Sequence, residues 1–195
     1  MKTYSPRERM VFSAAQLIRT QGVSGTGMRE VVARAEAPRG SLQHYFPGGK
    51  EQLVDEAIAW TGTYVAKKVR QYADRLVEKT PARLYEALVA QWRDEFTLAG
   101  FATGCPLVAA TADTVAASER LRAAVSKAFR NWHGPLAEEL TAMGVPAGRA
   151  ASLALVMISA LEGAIVLARA HQDVAPLDTV VKELGPLLDG AVEHV

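Results

Sequence analysis

Cysteine is nearly absent from this 195-residue chain. Cys105 stands alone, so no disulfide can close within the chain and no cysteine-rich zinc site can form, which fits a reducing compartment. Glycine and proline are sparse, at 15 and 9 residues, which excludes collagen-like and low-complexity chains. With 49% apolar and 22% charged residues the chain has the means to bury a core, and intrinsic disorder is excluded as well. Sustained period-two alternation is missing, and so are internal repeats. The start, Met1 to Arg7, lacks the roughly 7- to 15-residue apolar stretch of a signal peptide, so the cytoplasm is the expected location.

Net charge is also close to nil, at +1, but it is unevenly spread. Residues 1–50 hold eight Lys/Arg against three Glu, a surplus of +5, which leaves 14 basic against 18 acidic residues and −4 for the remainder. A basic head on an acidic body points to a polyanionic partner for the head. What the chain has in abundance is helix punctuation. Ser5-Pro6-Arg7-Glu8 offers a cap, a first-turn proline and a capping-box glutamate, and Met10, Val11, Ala14, Leu17 and Ile18 follow at helical spacing until Gly22. Thr26 can cap a short second helix ending near Ala35, and Pro38 predicts a third from Pro38 to about Tyr45. Lys50 opens a long helical pattern running to about Lys79, and Thr80-Pro81, Cys105-Pro106, Ser118, Pro146 and Pro176 mark further starts. The expected fold is all-α with about nine helices: a three-helix head over 1–49 and a larger helical body over 50–195.

Ala150 to Ala168 is apolar enough to suggest a membrane span, but Glu162 in its middle would cost roughly 2.5–3.5 kcal/mol on insertion. We read it as a helix buried on most sides, with a second subunit covering one of them and no membrane involved. The segment from Thr26 to Lys50 carries the most specific signal. Two short helices joined by a two- or three-residue turn make helix-turn-helix geometry, whose second helix enters the DNA major groove. Its expected outward residues are Arg39, Ser41, Gln43 and His44, side chains that can meet base edges or phosphates, with Gly40 allowing close approach.

The run Gly22-Val23, Thr26, Ala35-Glu36-Ala37-Pro38-Arg39-Gly40-Ser41-Leu42-Gln43-His44-Tyr45-Phe46 and Lys50-Glu51-Gln52-Leu53 resembles the DNA-binding domain of TetR-type transcriptional regulators. Phe46-Pro47-Gly48-Gly49-Lys50-Glu51, with the later Gly104-Cys105-Pro106-Leu107, is similar to the LmrA and YxaF branch of that family. The resemblance implies that Thr26, Arg29, the stretch Arg39, Gly40, Ser41, Leu42, Gln43, His44, Tyr45 and also Lys50 face DNA, with Lys50 on phosphate. It further implies a homodimer on a double-stranded operator, a repressor as the expected sign, and an effector cavity in the body. Glu36 replaces the glycine usual in the family's turn, and a left-handed conformation there would cost roughly 1–2 kcal/mol. Gln43 and Tyr45 stand where the family commonly has tyrosine and histidine, so the operator sequence cannot be borrowed from a relative.

Catalytic signals are weak. The glycines of 22–27 follow a helix rather than a strand, Gly49-Lys50-Glu51 lacks the Ser/Thr of a phosphate loop, and histidines 44, 133, 171 and 194 are scattered. No metal site or cofactor is expected, and His133 is read as a surface or interface residue. Cys105 before Pro106 would sit at a helix N-terminus, where the dipole favours a thiolate, but with no resolving cysteine we read it as a small buried cap. Trp60, Tyr64, Trp92, Phe96, Cys105 and Met157 are the candidate lining of a cavity for a small apolar or amphipathic effector, with Glu162 as its polar handle. The same aromatics would also suit a solid core. Two other classes remain open at this point: an effector-free architectural DNA-binding protein, and a helical enzyme for which no converging catalytic groups can be assembled.

Overall fold

The computed structural model describes residues 4–38 and 40–193. Among these the chain forms nine helices and no strand: α1 (Pro6–Gly25), α2 (Met28–Arg34), α3 (Ser41–Tyr45), α4 (Gly49–Arg75), α5 (Pro81–Ala99), α6 (Pro106–Thr114), α7 (Glu119–Ala142), α8 (Ala147–His171) and α9 (Ala175–Asp189). The all-α expectation holds. Local caps account for most of the boundaries. At α1 the Ser5 hydroxyl accepts from the Glu8 amide while the Glu8 carboxylate accepts from the Ser5 amide, closing the capping box around Pro6. Thr80 caps α5 by accepting from the Arg83 amide at 3.3 Å.

Three boundaries differ from the sequence reading. Thr26 does not cap α2. It is buried at the end of α1, where its hydroxyl donates to the Gly22 carbonyl at 2.6 Å, and Gly27 takes the N-cap position of α2. Pro38 does not start α3, because the Ser41 amide and hydroxyl both donate back to the Pro38 carbonyl, making a turn that delays the helix to Ser41. α4 stops at Arg75 rather than near Lys79, leaving residues 76–80 to reverse the chain before Pro81, which requires an extended Thr80.

The chain packs as two compact units. The first holds the described residues up to Thr63 together with Cys105–Phe129. Here α1 lies along α6 and against α2, around Met10, Ala14, Ile18, Val31, Phe46, Leu53 and Leu107. The second unit is Tyr64–Gly104 with the residues from Arg130 onward. α5 packs along α9 and α8 against α9, around Leu84, Tyr85, Leu88, Phe96, Leu136, Leu153 and Met157. The Val, Leu, Ile, Phe and Met side chains among these each stabilise the fold by about 1.5–3 kcal/mol when fully buried. The units are divisions of packing, and they cut the chain elsewhere than the functional boundary expected between residues 49 and 50.

α8 is the one helix among the described residues that is long and apolar enough to cross a bilayer by length and composition. Half of its most apolar window is buried within the protein, and Glu162 lies on the buried side. The opposite side presents Leu155, Val156, Val166 and Leu167, with Gly163 among them.

Candidate nucleic-acid interface

The turn between α2 and α3 is built around Glu36, whose φ of 48° is left-handed. Two backbone bonds close it, from the Glu36 amide to the Ala33 carbonyl and from the Ala37 amide to the Val32 carbonyl, both at 3.1 Å. The carbonyls left over at this helix end are taken by Arg9 of α1. Its Nε donates to Ala35 O at 2.8 Å and its Nη2 to Glu36 O at 3.3 Å, while Nη1 holds Tyr4 O. A guanidinium with five fixed donors suits this task, since one side chain satisfies carbonyls of both the turn and the N-terminal arm. Sequence reasoning counted Arg9 only as charge, and nothing local to residue 9 marks its partners some 26 residues away.

The left-handed Glu36 yields a stability prediction. Glu36→Gly removes a strain of roughly 1–2 kcal/mol and adds unfolded-chain entropy of about 0.5–1 kcal/mol. The Arg9 contact is to the residue 36 carbonyl and survives. We expect a net gain of up to about 1.5 kcal/mol, read as a higher urea midpoint with an unchanged slope; a lower midpoint would show that the side chain contributes more than its backbone costs.

Beyond the turn, α3 is only 5 residues long. Gln43 and His44 are exposed on it, with the His44 and Tyr45 rings edge to face at 4.8 Å. Ser41, Leu42 and Tyr45 are half-buried, while Gly40 and, on α2, Arg29 are exposed. Arg39 lies outside the described residues. A Cβ added at Gly40 would meet nothing within 4 Å, so the fold itself does not require glycine there. Phe46, fully buried, plugs the end of α3, and the Arg7 guanidinium covers its ring at 5.5 Å while pairing with Glu56 of α4 at 2.7 Å. Thr26 was expected to face DNA. Its side chain is instead 2% exposed and tied to Gly22, because the kink at Gly22 (φ 74°) turns the end of α1 inward.

Lys50 in the first turn of α4 sends Nζ to the Ser24 carbonyl at 3.2 Å. The amide of the same Ser24 donates to Asp113 Oδ2 of α6 at 3.0 Å. Further along, Ser118 Oγ donates to Glu51 at 2.6 Å and Arg120 grips Asp55 through two nitrogens at 2.9 and 2.7 Å. The hydrogen bond to Asp55 holds the Arg120 guanidinium above its ordinary range. Residues 113–120 are thus fastened to α1 and α4 at three points, which sequence separations of 65 to 89 positions conceal.

The candidate effector residues divide between the units. In the first, Trp60 is half-buried with Phe12 edge to face at 5.3 Å, and Cys105 is buried at the N-cap of α6. In the second, the Trp92 and Phe96 rings meet tilted at 5.8 Å and those of Phe96 and Phe101 at 5.0 Å, Met157 and Glu162 are buried on α8, and Tyr64 is exposed beneath the Lys68 ammonium. None of the seven lines a groove of about 440 Å3 between α8 and α9, which is bordered by Gly163, Ala164, Leu167, His171, Pro176 and Val180. His133 is half-buried, and one of its ring nitrogens donates to the Ala151 carbonyl of α8 at 2.8 Å.

Comparison with known proteins bears on this geometry. Residues 13–57 match the profile of the tetR family of bacterial regulatory proteins, and residues 81–183 that of the C-terminal domain of LmrA/YxaF-like transcriptional regulators. The chain is 39% identical to the HTH-type transcriptional regulator Rv0196 of Mycobacterium tuberculosis over 94% of both chains. It is 31% identical to the HTH-type transcriptional regulator LmrA of Bacillus subtilis, over 88% of this chain and 90% of that one. The regulatory protein TetR from Rhodobacter sphaeroides, at 25% identity, superposes with a TM-score of 0.78 over 93% of this chain and 98% of its own.

Proposed function

Because the chain belongs to the TetR family of transcriptional regulators, in its LmrA/YxaF-like branch, we propose that it is a homodimeric, one-component repressor of the cytoplasm, with no catalytic role, released from a palindromic operator by a small apolar or amphipathic effector. Residues 1–49 bind DNA, and residues 50–195 bind the effector and the second subunit. The observation that carries the reading is α3: a five-residue helix holding Gln43 and His44 out to solvent, between a turn that Arg9 fastens and the buried Phe46, in a segment with a +5 surplus. Gly40, whose missing side chain the fold does not demand, is where a DNA backbone would come close.

The apolar outward side of α8 supports a second subunit, with Gly163 open to receive it. For the effector, Tyr64, Trp92, Phe96, Met157 and Glu162 of the second unit remain the proposed contacts. Induction is then a coupling free energy, and a tenfold loss of operator affinity needs an effector that prefers the DNA-incompetent state by about 1.4 kcal/mol.

Selection from a random-sequence duplex pool tests the reading. Wild-type protein is expected to enrich a palindrome and to bind it with log affinity falling about 0.9 per neutralised phosphate against log salt. Lys50→Ala should weaken every duplex alike and reduce that slope by about 0.9. Wild-type protein that enriches no sequence would sink the repressor.

A further inference from the structure

Asp113 lies 89 positions from Ser24, in a helix outside the helix-turn-helix, yet its carboxylate meets the end of α1 beside the expected DNA face. The contact has room only because residue 22 is glycine. A Cβ at Gly22 would lie 2.5 Å from Asp113 Oδ2, and its φ of 74° is the left-handed geometry that side chains resist. The Ser24 backbone is consequently held on both sides of its Cα, its amide by Asp113 and its carbonyl by the Lys50 ammonium. One of the three ammonium protons is used in this bond, and two remain for an oxygen outside the protein.

From this arrangement we infer that Asp113 is a positioning residue for DNA binding: by fixing the backbone on the amide side of Ser24 it sets where the Ser24 carbonyl and the Lys50 ammonium on it sit, and so places a phosphate contact from α6. The inference rests on the reading of the head as a DNA-binding domain. It adds a group that bears the wrong charge to touch DNA and acts only through its neighbour. The fastenings at Ser118 and Arg120 keep the connection between α6 and α7 against α4, so Asp113 meets Ser24 from a supported segment.

The charge must be separated from the hydrogen bond, since any loss of a carboxylate near DNA strengthens binding through simple electrostatics. Asp113→Asn and Asp113→Ala both remove the charge, and only asparagine keeps an acceptor for the Ser24 amide. Their operator affinities are compared by fluorescence anisotropy, in otherwise wild-type protein and in Lys50→Ala, with urea midpoints recorded for all. The alanine variant is expected to bind roughly three- to tenfold more weakly than the asparagine variant, and the difference should vanish in Lys50→Ala.

Equal affinity of the two variants would overturn the inference. So would a difference that persists without Lys50, or a lower urea midpoint for the alanine variant with no change in affinity, either of which would make the contact a structural fastening only. Wild-type protein that binds no duplex would instead sink the repressor reading, and this inference with it.

Discussion

Leu167→Arg is expected to turn the protein into a folded monomer. Leu167 is 50% exposed on the outward side of α8 and borders the groove shared with α9. In a two-fold contact every substitution occurs twice, so two guanidinium groups would enter one apolar interface near their own symmetry mates. Burying such a charge without a partner costs several kcal/mol, and about 4 kcal/mol is already a thousandfold in the dimer dissociation constant. The monomer should tolerate the change, because a half-exposed side chain can swing its charge into water. Sedimentation velocity at micromolar concentration should show the monomer, with the helical circular dichroism of wild type. Ala164→Arg would not serve, since Ala164 is 2% exposed and a charge there would attack the fold itself. A Leu167→Arg protein that still sediments as the wild-type dimer would place the interface elsewhere.

The outward side of α8 illustrates what a sequence of this kind discloses. The apolar run from Ala150 to Ala168 was legible as a buried helix with one side left over, because hydrophobicity in excess of what a small unit can bury is a property of the segment itself. Helix starts at Pro6, Pro81 and Pro106 were legible for the same reason, since a cap and a first-turn proline act within four residues. Glu36 stood out against the glycine of the related turn, and its φ of 48° is the left-handed conformation that the departure raised.

What stayed hidden depends on distant partners. A threonine before a short helix reads as its cap, but the Gly22 kink brings Thr26 into the core and hands the position to Gly27. Pro38 is compatible with a first helical turn and equally with the turn that the Ser41 amide and hydroxyl close on its carbonyl, and its residue type does not separate the two. Arg9, Asp113 and Arg120 look like solvated charges in the sequence. Their roles follow from carbonyls for Arg9, an amide for Asp113 and a carboxylate for Arg120, 26 to 89 positions away. The effector residues are the hardest to read, because an aromatic at helical spacing is the same signal for a filled core and for a cavity wall.

Gln43→Ala should lower affinity for the selected operator by roughly fivefold to 150-fold, the effect of about 1–3 kcal/mol for a base-edge contact. The side chain is exposed in the middle of α3, so nothing in the core depends on it, and alanine is at least as good a helix former. A loss of affinity therefore cannot be a loss of folding, and the urea midpoint should stay within about 0.5 kcal/mol of wild type. The loss should also be selective. A glutamine amide reading an adenine in the major groove discriminates at one base pair in each half-site, so preference there should relax while scrambled duplex binds as before. Lys50→Ala gives the opposite signature, weakening operator and scrambled DNA in the same proportion and flattening the salt dependence. Measured side by side on both duplexes, the two variants assign α3 to base readout and the start of α4 to the backbone. Equal losses on operator and scrambled DNA for Gln43→Ala, or none on either, would remove α3 from the major groove, because an exposed amide that changes no base preference is reading no base.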